Sequence, residues 1–231
     1  MEATMMQKNL KRIFLEGVYT LINSSIQIFH TKMSTIDMMT TFTKIYDKKI
    51  WGNGSGAGSS PAYNVRYMDI LQNHMRKNDV KTVMDIGCGD WQHSQFVDWS
   101  GIEYVGLDVV KSVVEKNQDL YGKENIKFFH MDATKISIPF KFDLVIIKDV
   151  LQHWDDETIT IFMDKLLSAG HKQIMIINTA FSNFKKDMDE PRSIKNRYHY
   201  CKLDATKAPL NKYNPQIIGT YKFKQISLII R

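Results

Sequence analysis

Short apolar runs alternate with segments of helical periodicity along most of the chain. The apolar runs predict seven strands, at residues 82–86, 104–107, 126–130, 144–148, 173–177, 216–219 and 223–230. Before and between these strands, apolar positions spaced by three and four residues predict helices at 41–49, 61–76, 94–99, 111–121 and 156–169. Strands that alternate with helices favour a mainly parallel sheet covered on both faces. The pattern therefore predicts an α/β fold built on a seven-stranded sheet.

The first 39 residues carry a separate amphipathic pattern, in which Ile13, Val18 and Ile22 lie among the apolar positions. It predicts a helical extension at 1–39, followed by one catalytic domain at 40–231. We favour a helix that packs on the domain over a helix that lies on a membrane surface or mediates dimerisation. This interpretation does not exclude a homodimer.

Charge and cysteine content narrow the function classes. The chain has 31 Lys and Arg against 25 Asp and Glu, a net charge of +6, and the basic residues are scattered along it. We therefore expect a solvated surface and no nucleic-acid partner. Cys88 and Cys201 cannot form a disulfide framework, which indicates a reducing compartment. No apolar stretch is long enough to predict a transmembrane segment and the first residues do not show the pattern of a signal peptide, so we expect a cytoplasmic location.

A loop rich in glycine and serine is predicted at residues 51–60, immediately before the helix that starts at Pro61. Ser55, Ser59 and Ser60 offer hydroxyl groups to a carboxylate, and Ser60 is also available to cap the helix. The loop is either a flexible surface segment or a lid over a cofactor. We favour the lid, because Trp51 and Tyr63 are unusual in a solvated linker.

Acidic residues end three successive predicted strands. Asp85 belongs to a strand that leads into a turn containing Gly87 and Gly89, which allow the backbone to approach a ligand. Asp108 ends the next strand, 23 residues after Asp85. This spacing along the sequence is in the range where an acidic residue binds ribose hydroxyls. Asp132 ends the third strand, where it can accept from an adenine amino group. A third glycine is missing from the turn, which disfavours a dinucleotide.

These motifs together resemble those of class I S-adenosylmethionine-dependent methyltransferases. The resemblance rests on Asp85-Ile-Gly-Cys-Gly89, Gly106-Leu-Asp108, Met131-Asp-Ala133 and Phe142-Asp-Leu-Val145, and spans about residues 80–180. It implies a Rossmann-like fold, S-adenosylmethionine as the cofactor and S-adenosylhomocysteine as the product. The cofactor-binding residues that we assign with it are Trp51, Ser59, Ser60, Asp85, Gly87, Gly89, Asp108, Val109, Asp132, Ala133 and Lys148.

A narrower resemblance extends over nearly all of residues 40–231. The segments 42–46, 51–60, 148–153 and 203–209 are similar to a group of bacterial and large-virus methyltransferases often associated with glycan synthesis. It implies O-methylation of a hydroxyl on a sugar or glycan acceptor. The alternatives are a methyltransferase acting on a small metabolite or nucleic acid, and a catalytically silent partner domain that binds the cofactor.

His153 follows the fourth strand, at the edge of the sheet where open α/β folds bind ligands. A neutral imidazole can accept the proton of an acceptor hydroxyl, so we assign His153 as the general base rather than as a packing or capping residue. Asp149 is a second catalytic candidate. It could also ligate a divalent metal with Asp155 or Asp156 and Asn178, but acids there more often begin a helix, and no metal is expected.

Four residues are predicted to bind the methyl acceptor: Gln152, Asn178, Arg192 and Arg197. The two arginines belong to the polar segment 183–212, which has weak periodicity and is predicted to be an insertion that faces the substrate.

Overall fold

The computed structural model describes residues 38–135, 140–181 and 202–231, whose strands form a seven-stranded sheet. The sheet order is β3-β2-β1-β4-β5-β7-β6. The strands are β1 Thr82–Ile86, β2 Glu103–Asp108, β3 Ile126–His130, β4 Leu144–Lys148, β5 Gln173–Thr179, β6 Gln216–Tyr221 and β7 Lys224–Ile230. All seven predicted strands are present, with ends that differ by up to two residues from the prediction.

The sheet is mixed. Strands β1 to β5 pair in parallel, whereas β7 runs antiparallel to both β5 and β6. Only Lys222 and Phe223 separate β6 from β7, and so short a connection can join only antiparallel neighbours. The sheet is therefore parallel over its first five strands and closed at one side by a hairpin.

The helices are α1 Met38–Asp47, α2 Pro61–Lys77, α3 Lys111–Tyr121 and α4 Asp156–Ser168. Helix α4 packs its apolar side, including Ile159 and Phe162, on one face of the sheet. The other face is covered by α2, through Tyr67 and Leu71, and by α3. The buried positions of α2 recur every three or four residues, which is why this helix presents one buried stripe to the sheet.

Helix α4 has a side-chain cap at its start, whereas helix α2 has none. In α4, the Oδ1 atom of Asp155 accepts a hydrogen bond from the Thr158 amide at 2.7 Å. In α2, Ser60 occupies the N-cap position but its hydroxyl makes no capping bond, contrary to the prediction. The buried Asn64 side chain instead donates to the carbonyl oxygens of Gly58 and Ser60, both at 2.8 Å. Helix α2 thereby fixes the end of the Gly-rich loop.

The helix predicted at 94–99 is wrong, because only a single 3-10 turn forms there, at Ser94–Phe96. Trp99 donates its indole N–H to the carbonyl of Ser94 at 2.8 Å and stacks on Trp91. Both rings are buried, and Val97 has extended backbone angles that end the 3-10 turn, against the helical periodicity of this segment.

Most of the predicted N-terminal extension lies outside the described residues. Helix α1 already includes Met38 and Met39, and Met38 is buried in the core, so a boundary between residues 39 and 40 would cut this helix. Within the described part of the chain, no helix is long and apolar enough to cross a membrane.

Candidate functional site

A cavity of about 350 Å³ opens at the carboxyl ends of β1 and β4. These strands are neighbours, and the chain continues from β1 toward β2 and β3 but from β4 toward β5. Ligands of open α/β sheets bind at such a reversal of strand order, because the following loops diverge and leave a crevice. The cavity has the size of a small-molecule site.

The turn after β1 forms the floor of the cavity. Gly87 and Gly89 both have positive φ angles, 71° and 58°, which residues with a side chain adopt at a cost. A Cβ atom on Gly87 would lie 2.3 Å from a methyl group of Val150, and one on Gly89 would lie 2.5 Å from the Ser55 hydroxyl. The glycines therefore allow neighbouring protein segments to close on the turn, in addition to lining the cavity.

Asp85, near the end of β1, is buried and lines the cavity. Its carboxylate accepts a hydrogen bond from the Tyr104 hydroxyl at 2.7 Å, and that hydroxyl accepts one from the Trp91 indole at 2.8 Å. Burial raises the pKa of Asp85 to about 6, although the Tyr104 hydrogen bond and the charge of Lys148 act in the opposite direction. The site thus holds a carboxylate whose negative charge lacks full compensation by the protein.

Asp108 ends β2 and accepts from two backbone amides, Gly89 N–H and Val110 N–H, both at 2.9 Å. The bonds hold the carboxylate at the cavity wall beside Val109. Burial raises its pKa. Each carboxylate oxygen can accept more than one bond, so the group retains capacity for ligand hydroxyls.

Asp132 and Ala133 follow β3 at the same side of the cavity. The Oδ1 atom of Asp132 accepts from the amide and hydroxyl of Thr134, at 3.1 and 2.6 Å, and its Oδ2 atom lies 3.1 Å from the Lys135 ammonium. All three acids predicted at strand ends therefore line one cavity.

The Gly-rich loop lines the cavity and is attached to the turn after β1 by a reciprocal pair of hydrogen bonds. The Ser55 amide donates to the Asp90 carboxylate, and the Asp90 amide donates to the Ser55 hydroxyl, both at 3.0 Å. Tyr46 of α1 bonds the same hydroxyl at 2.5 Å. Ser59 lines the cavity, but Ser60 does not, so the assignment of Ser60 to the cofactor is corrected.

His153 ends the 3-10 turn that follows β4, and its exposed fraction is 8%. Its imidazole lies against the Trp51 indole, with ring centroids 5.5 Å apart and planes 30° apart. Phe42 contacts the imidazole edge-on, also at 5.5 Å. All three rings line the cavity. The fold thus places Trp51 in contact with His153, the candidate general base.

Asp149 bridges two buried lysines. Its Oδ2 atom accepts from Lys148 at 2.8 Å, and its Oδ1 atom accepts from Lys224 at the start of β7. The positive charges of Lys148 and Lys224 hold the pKa of Asp149 well below its usual range, even though burial acts in the opposite direction. A carboxylate bound in this way is a weak proton acceptor, which disfavours Asp149 as the general base.

The structure describes two of the four predicted acceptor residues, Gln152 and Asn178. Gln152 lines the cavity, but its Oε1 atom accepts from the Thr179 amide at 2.9 Å. Asn178 is buried on β5 and does not line the cavity, which corrects its assignment. Arg192 and Arg197 lie outside the described residues.

Two of the carboxylates predicted for the alternative metal site, those of Asp149 and Asp155, form other interactions. Asp155 caps α4, and Asp149 pairs with two ammonium groups. In the described ranges, no group of three His, Cys, Asp or Glu side chains could hold a metal ion.

Several cavity residues had not been predicted: Tyr46, Tyr67, His93 and Lys224. His93 is buried next to the Gly-rich loop, with its Nδ1 atom 3.2 Å from the Ser59 carbonyl, and desolvation lowers its pKa to about 3. Ser55, whose hydroxyl was predicted with those of Ser59 and Ser60 to face a carboxylate, lines the cavity. No sequence signal indicated Lys224, because it follows Asp149 by 75 residues.

Comparisons with known proteins agree with this architecture. Residues 83–170 match the family described as methyltransferase domain, and that range covers the strands from β1 to β4 together with α4. No curated protein matches the sequence. The matched range includes Asp85, Asp108 and Asp132, the acids at the cavity.

Solved structures define the fold further. Magnesium protoporphyrin IX methyltransferase from Synechocystis PCC 6803, crystallised with S-adenosylhomocysteine, superposes with a TM-score of 0.59 at 16% identity, over 84% of this chain and 100% of that one. Human N-acetylserotonin methyltransferase, in complex with S-adenosylmethionine, gives 0.54 at 18% identity, over 85% and 60%. Mitomycin 7-O-methyltransferase gives 0.54 at 16% identity, over 73% and 54%. The fold is that of S-adenosylmethionine-dependent methyltransferases.

Proposed function

We propose that this protein transfers the methyl group of S-adenosylmethionine to a hydroxyl of a sugar or glycan, and releases S-adenosylhomocysteine. The observation that carries the proposal is the convergence of Asp85, Asp108 and Asp132 on one cavity at the reversal of strand order. The family match over residues 83–170 supports the methyl-transfer chemistry.

The cavity fits a nucleoside with an attached amino acid. Asp108 retains acceptor capacity for ribose hydroxyls, and Asp132 stands one strand further, where it can accept from an adenine amino group. The apolar side chains of Val109 and Met131, with Ala133, line the same end and suit an aromatic base. We assign the nucleoside to this end.

S-adenosylmethionine, when bound, supplies a methyl group activated by a sulfonium. The chain's contribution is to bind, to orient and to accept a proton. A neutral alcohol is a poor nucleophile, and His153 lines the cavity beside β4, where its imidazole can take the proton of an acceptor hydroxyl. General-base help of this kind contributes about 10²- to 10⁴-fold.

The acceptor proposal rests on the aromatic side of the cavity together with the resemblance of segments 42–46, 51–60, 148–153 and 203–209. Trp51 and Phe42 surround His153 with ring surfaces. Ring faces can pack against the apolar C–H face of a sugar while a hydroxyl points to the imidazole. Gln152 is proposed to contribute to this side, as are Arg192 and Arg197 of the segment outside the described residues. A small-metabolite acceptor is the alternative.

Calorimetry tests the cofactor. We expect S-adenosylmethionine and S-adenosylhomocysteine to bind, and nicotinamide dinucleotide not to bind. Asp108→Ala is expected to weaken the binding of S-adenosylhomocysteine by about 1–3 kcal/mol, because hydrogen bonds to a charged group are lost. Exposed Asp69, on α2, provides the matched control in Asp69→Ala. Tight dinucleotide binding without S-adenosylmethionine binding would contradict the proposal.

Methyl transfer is tested with labelled S-adenosylmethionine. The protein is incubated with a panel of sugars, sugar phosphates, glycans and small phenolic or heterocyclic alcohols, and products are identified by mass spectrometry. Label on a sugar hydroxyl supports the proposed acceptor, whereas label only on the aromatic alcohols supports the small-metabolite alternative. Binding of the cofactor with no transfer to any of them supports a silent partner domain.

A further inference from the structure

Two buried lysines face the cavity from strands that are distant in sequence. The exposed fraction is 8% for Lys148, at the end of β4, and 6% for Lys224, at the start of β7. Both line the cavity, and both donate to the Asp149 carboxylate. Lys224 also donates to the Thr179 hydroxyl at 3.0 Å. The ammonium groups are thus held in place by the protein.

The hydrogen-bonding capacity of these two ammonium groups exceeds what the described residues supply. An ammonium group has three N–H donors. Among the described residues, Lys224 uses two of its donors, on Asp149 and Thr179, and Lys148 uses one, on Asp149. Buried donors are nearly always bonded, so the remaining N–H groups call for an acceptor that a ligand brings. Two ammonium groups share one carboxylate, so that acceptor is favoured when it is negatively charged.

The position along the sheet indicates which part of the ligand this is. The order β3-β2-β1-β4 places the nucleoside acids Asp132 and Asp108 on one side of β1. Lys148 lies on the other side, directly after the β4 residues that pair with β1. A ligand whose ribose meets Asp108 therefore extends over the β1 turn toward Lys148.

Asp85 lies between these two ends, close enough for the charge of Lys148 to lower its pKa against the effect of burial. A carboxylate on one side and an ammonium pair on the other are complementary to a zwitterion. The amino-acid end of S-adenosylmethionine is such a group, with one ammonium and one carboxylate.

We propose that Lys148 and Lys224 together bind the carboxylate of the amino-acid end of S-adenosylmethionine, with Asp85 facing its ammonium group. The inference rests on the proposed function and adds Lys224, on β7, to the cofactor site. It also assigns a role to Asp149, which orients both lysines and balances one of their charges.

The test is a calorimetric cycle on the full chain with three ligands: S-adenosylhomocysteine, its decarboxylated analogue and methylthioadenosine, which lacks the amino-acid end. The wild-type protein is expected to bind S-adenosylhomocysteine at least about tenfold more tightly than the decarboxylated analogue, the scale of a charge-assisted hydrogen bond. In Lys224→Met, this advantage should fall below about threefold. Affinity for methylthioadenosine should stay the same, which reports that the nucleoside end is intact.

Lys77→Met, an exposed lysine at the far end of α2, is the matched control and should keep the full advantage. If Lys224→Met does not fold, Lys224→Gln, which keeps most of the side-chain volume, takes its place. Equal wild-type affinity for the carboxylated and decarboxylated ligands would overturn the inference, as would an unchanged advantage in a folded Lys224 variant. Failure of all three ligands to bind the wild type would instead overturn the proposed function.

Discussion

His153, the proposed general base, is held by two aromatic neighbours. The imidazole is held between the Trp51 face and the Phe42 edge, and little of it is exposed. Aromatic pairs of this geometry contribute about 0.5–1.5 kcal/mol beyond the area they bury, so the ring has a defined orientation. Asp149, the rival base, is held as a carboxylate by two ammonium groups.

Replacement of His153 by Gln should therefore separate binding from turnover. We expect kcat to fall by at least about 10²-fold and the low-pH limb of the rate profile to disappear, because proton acceptance acts in the transition state. Affinity for S-adenosylhomocysteine should stay nearly the same. The matched control is His130→Gln, on the exposed end of β3. Near-wild-type turnover of the His153 variant would remove its role as the base.

Asp85 is expected to make the stability of the ligand-free protein depend on pH. Its pKa is about 6 in the folded protein, against 3.8 for an ordinary aspartate. The folded state therefore binds the proton more tightly than the unfolded state, and stability decreases as pH rises from about 4 to about 6. The loss reaches about 3 kcal/mol at full effect.

Asp85→Asn should remove most of that slope, because an amide does not ionise. Denaturant unfolding between pH 4 and pH 8 measures it, and above about pH 6 the variant should be the more stable protein. Asp69→Asn, on the exposed side of α2, controls for a general change in charge. Parallel pH profiles for Asp85→Asn and the wild type would show that Asp85 titrates normally.

At the scale of elements, the Gly-rich loop is an attached cover. Ser55 bonds Asp90 through both its amide and its hydroxyl, and Tyr46 of α1 bonds the same hydroxyl. Three elements therefore meet at one side chain: α1, the loop and the turn after β1. The position of the loop over the cavity depends on this contact.

Ser55→Ala should loosen the loop, because it removes the acceptor for the Asp90 amide and the partner of Tyr46. Hydrogen exchange at residues 51–63 is expected to become faster by about tenfold, a loss of roughly 1 kcal/mol of local stability. Ser60→Ala is the matched control, because that hydroxyl caps no helix. In the wild type, S-adenosylhomocysteine should slow exchange over the same residues, and no change at saturation would argue against a lid.

For the whole molecule, the described elements pack two hydrophobic clusters, one on each face of a single sheet. Helix α1 belongs to one of these clusters, since Met38 is buried with β1 and β4 residues and lines the cavity together with Phe42 and Tyr46. The binding unit is therefore predicted to begin with α1 rather than at β1.

A fragment of residues 38–231 should bind S-adenosylhomocysteine within about threefold of the full chain, since every described cavity residue is retained. A shorter fragment, 48–231, lacks α1 and should lose at least about tenfold in affinity. Calorimetry and thermal unfolding measure both. Loss of binding in the longer fragment would show that residues 1–37 contribute to the site.

The strand-end acids were predictable from the sequence alone. Parallel strands bring their carboxyl ends to one edge, so acids that end successive strands meet there whatever the details of packing. Asp85, Asp108 and Asp132 needed only the alternation of strands and helices to be assigned to one site. The seven strands were also predictable from the sequence, because buried strands are short apolar runs between turn residues.

Only the tertiary structure decided the contacts between segments that are far apart in the chain. Trp99 and Trp91 prevented a helix that the local periodicity favoured, because burying two indoles outweighs helix propensity. Lys224 reached Asp149 because a hairpin inserts β7 beside β5. Local sequence patterns carry secondary structure and strand-end positions, whereas the pairing of charges across the sheet depends on strand order, which no local pattern encodes.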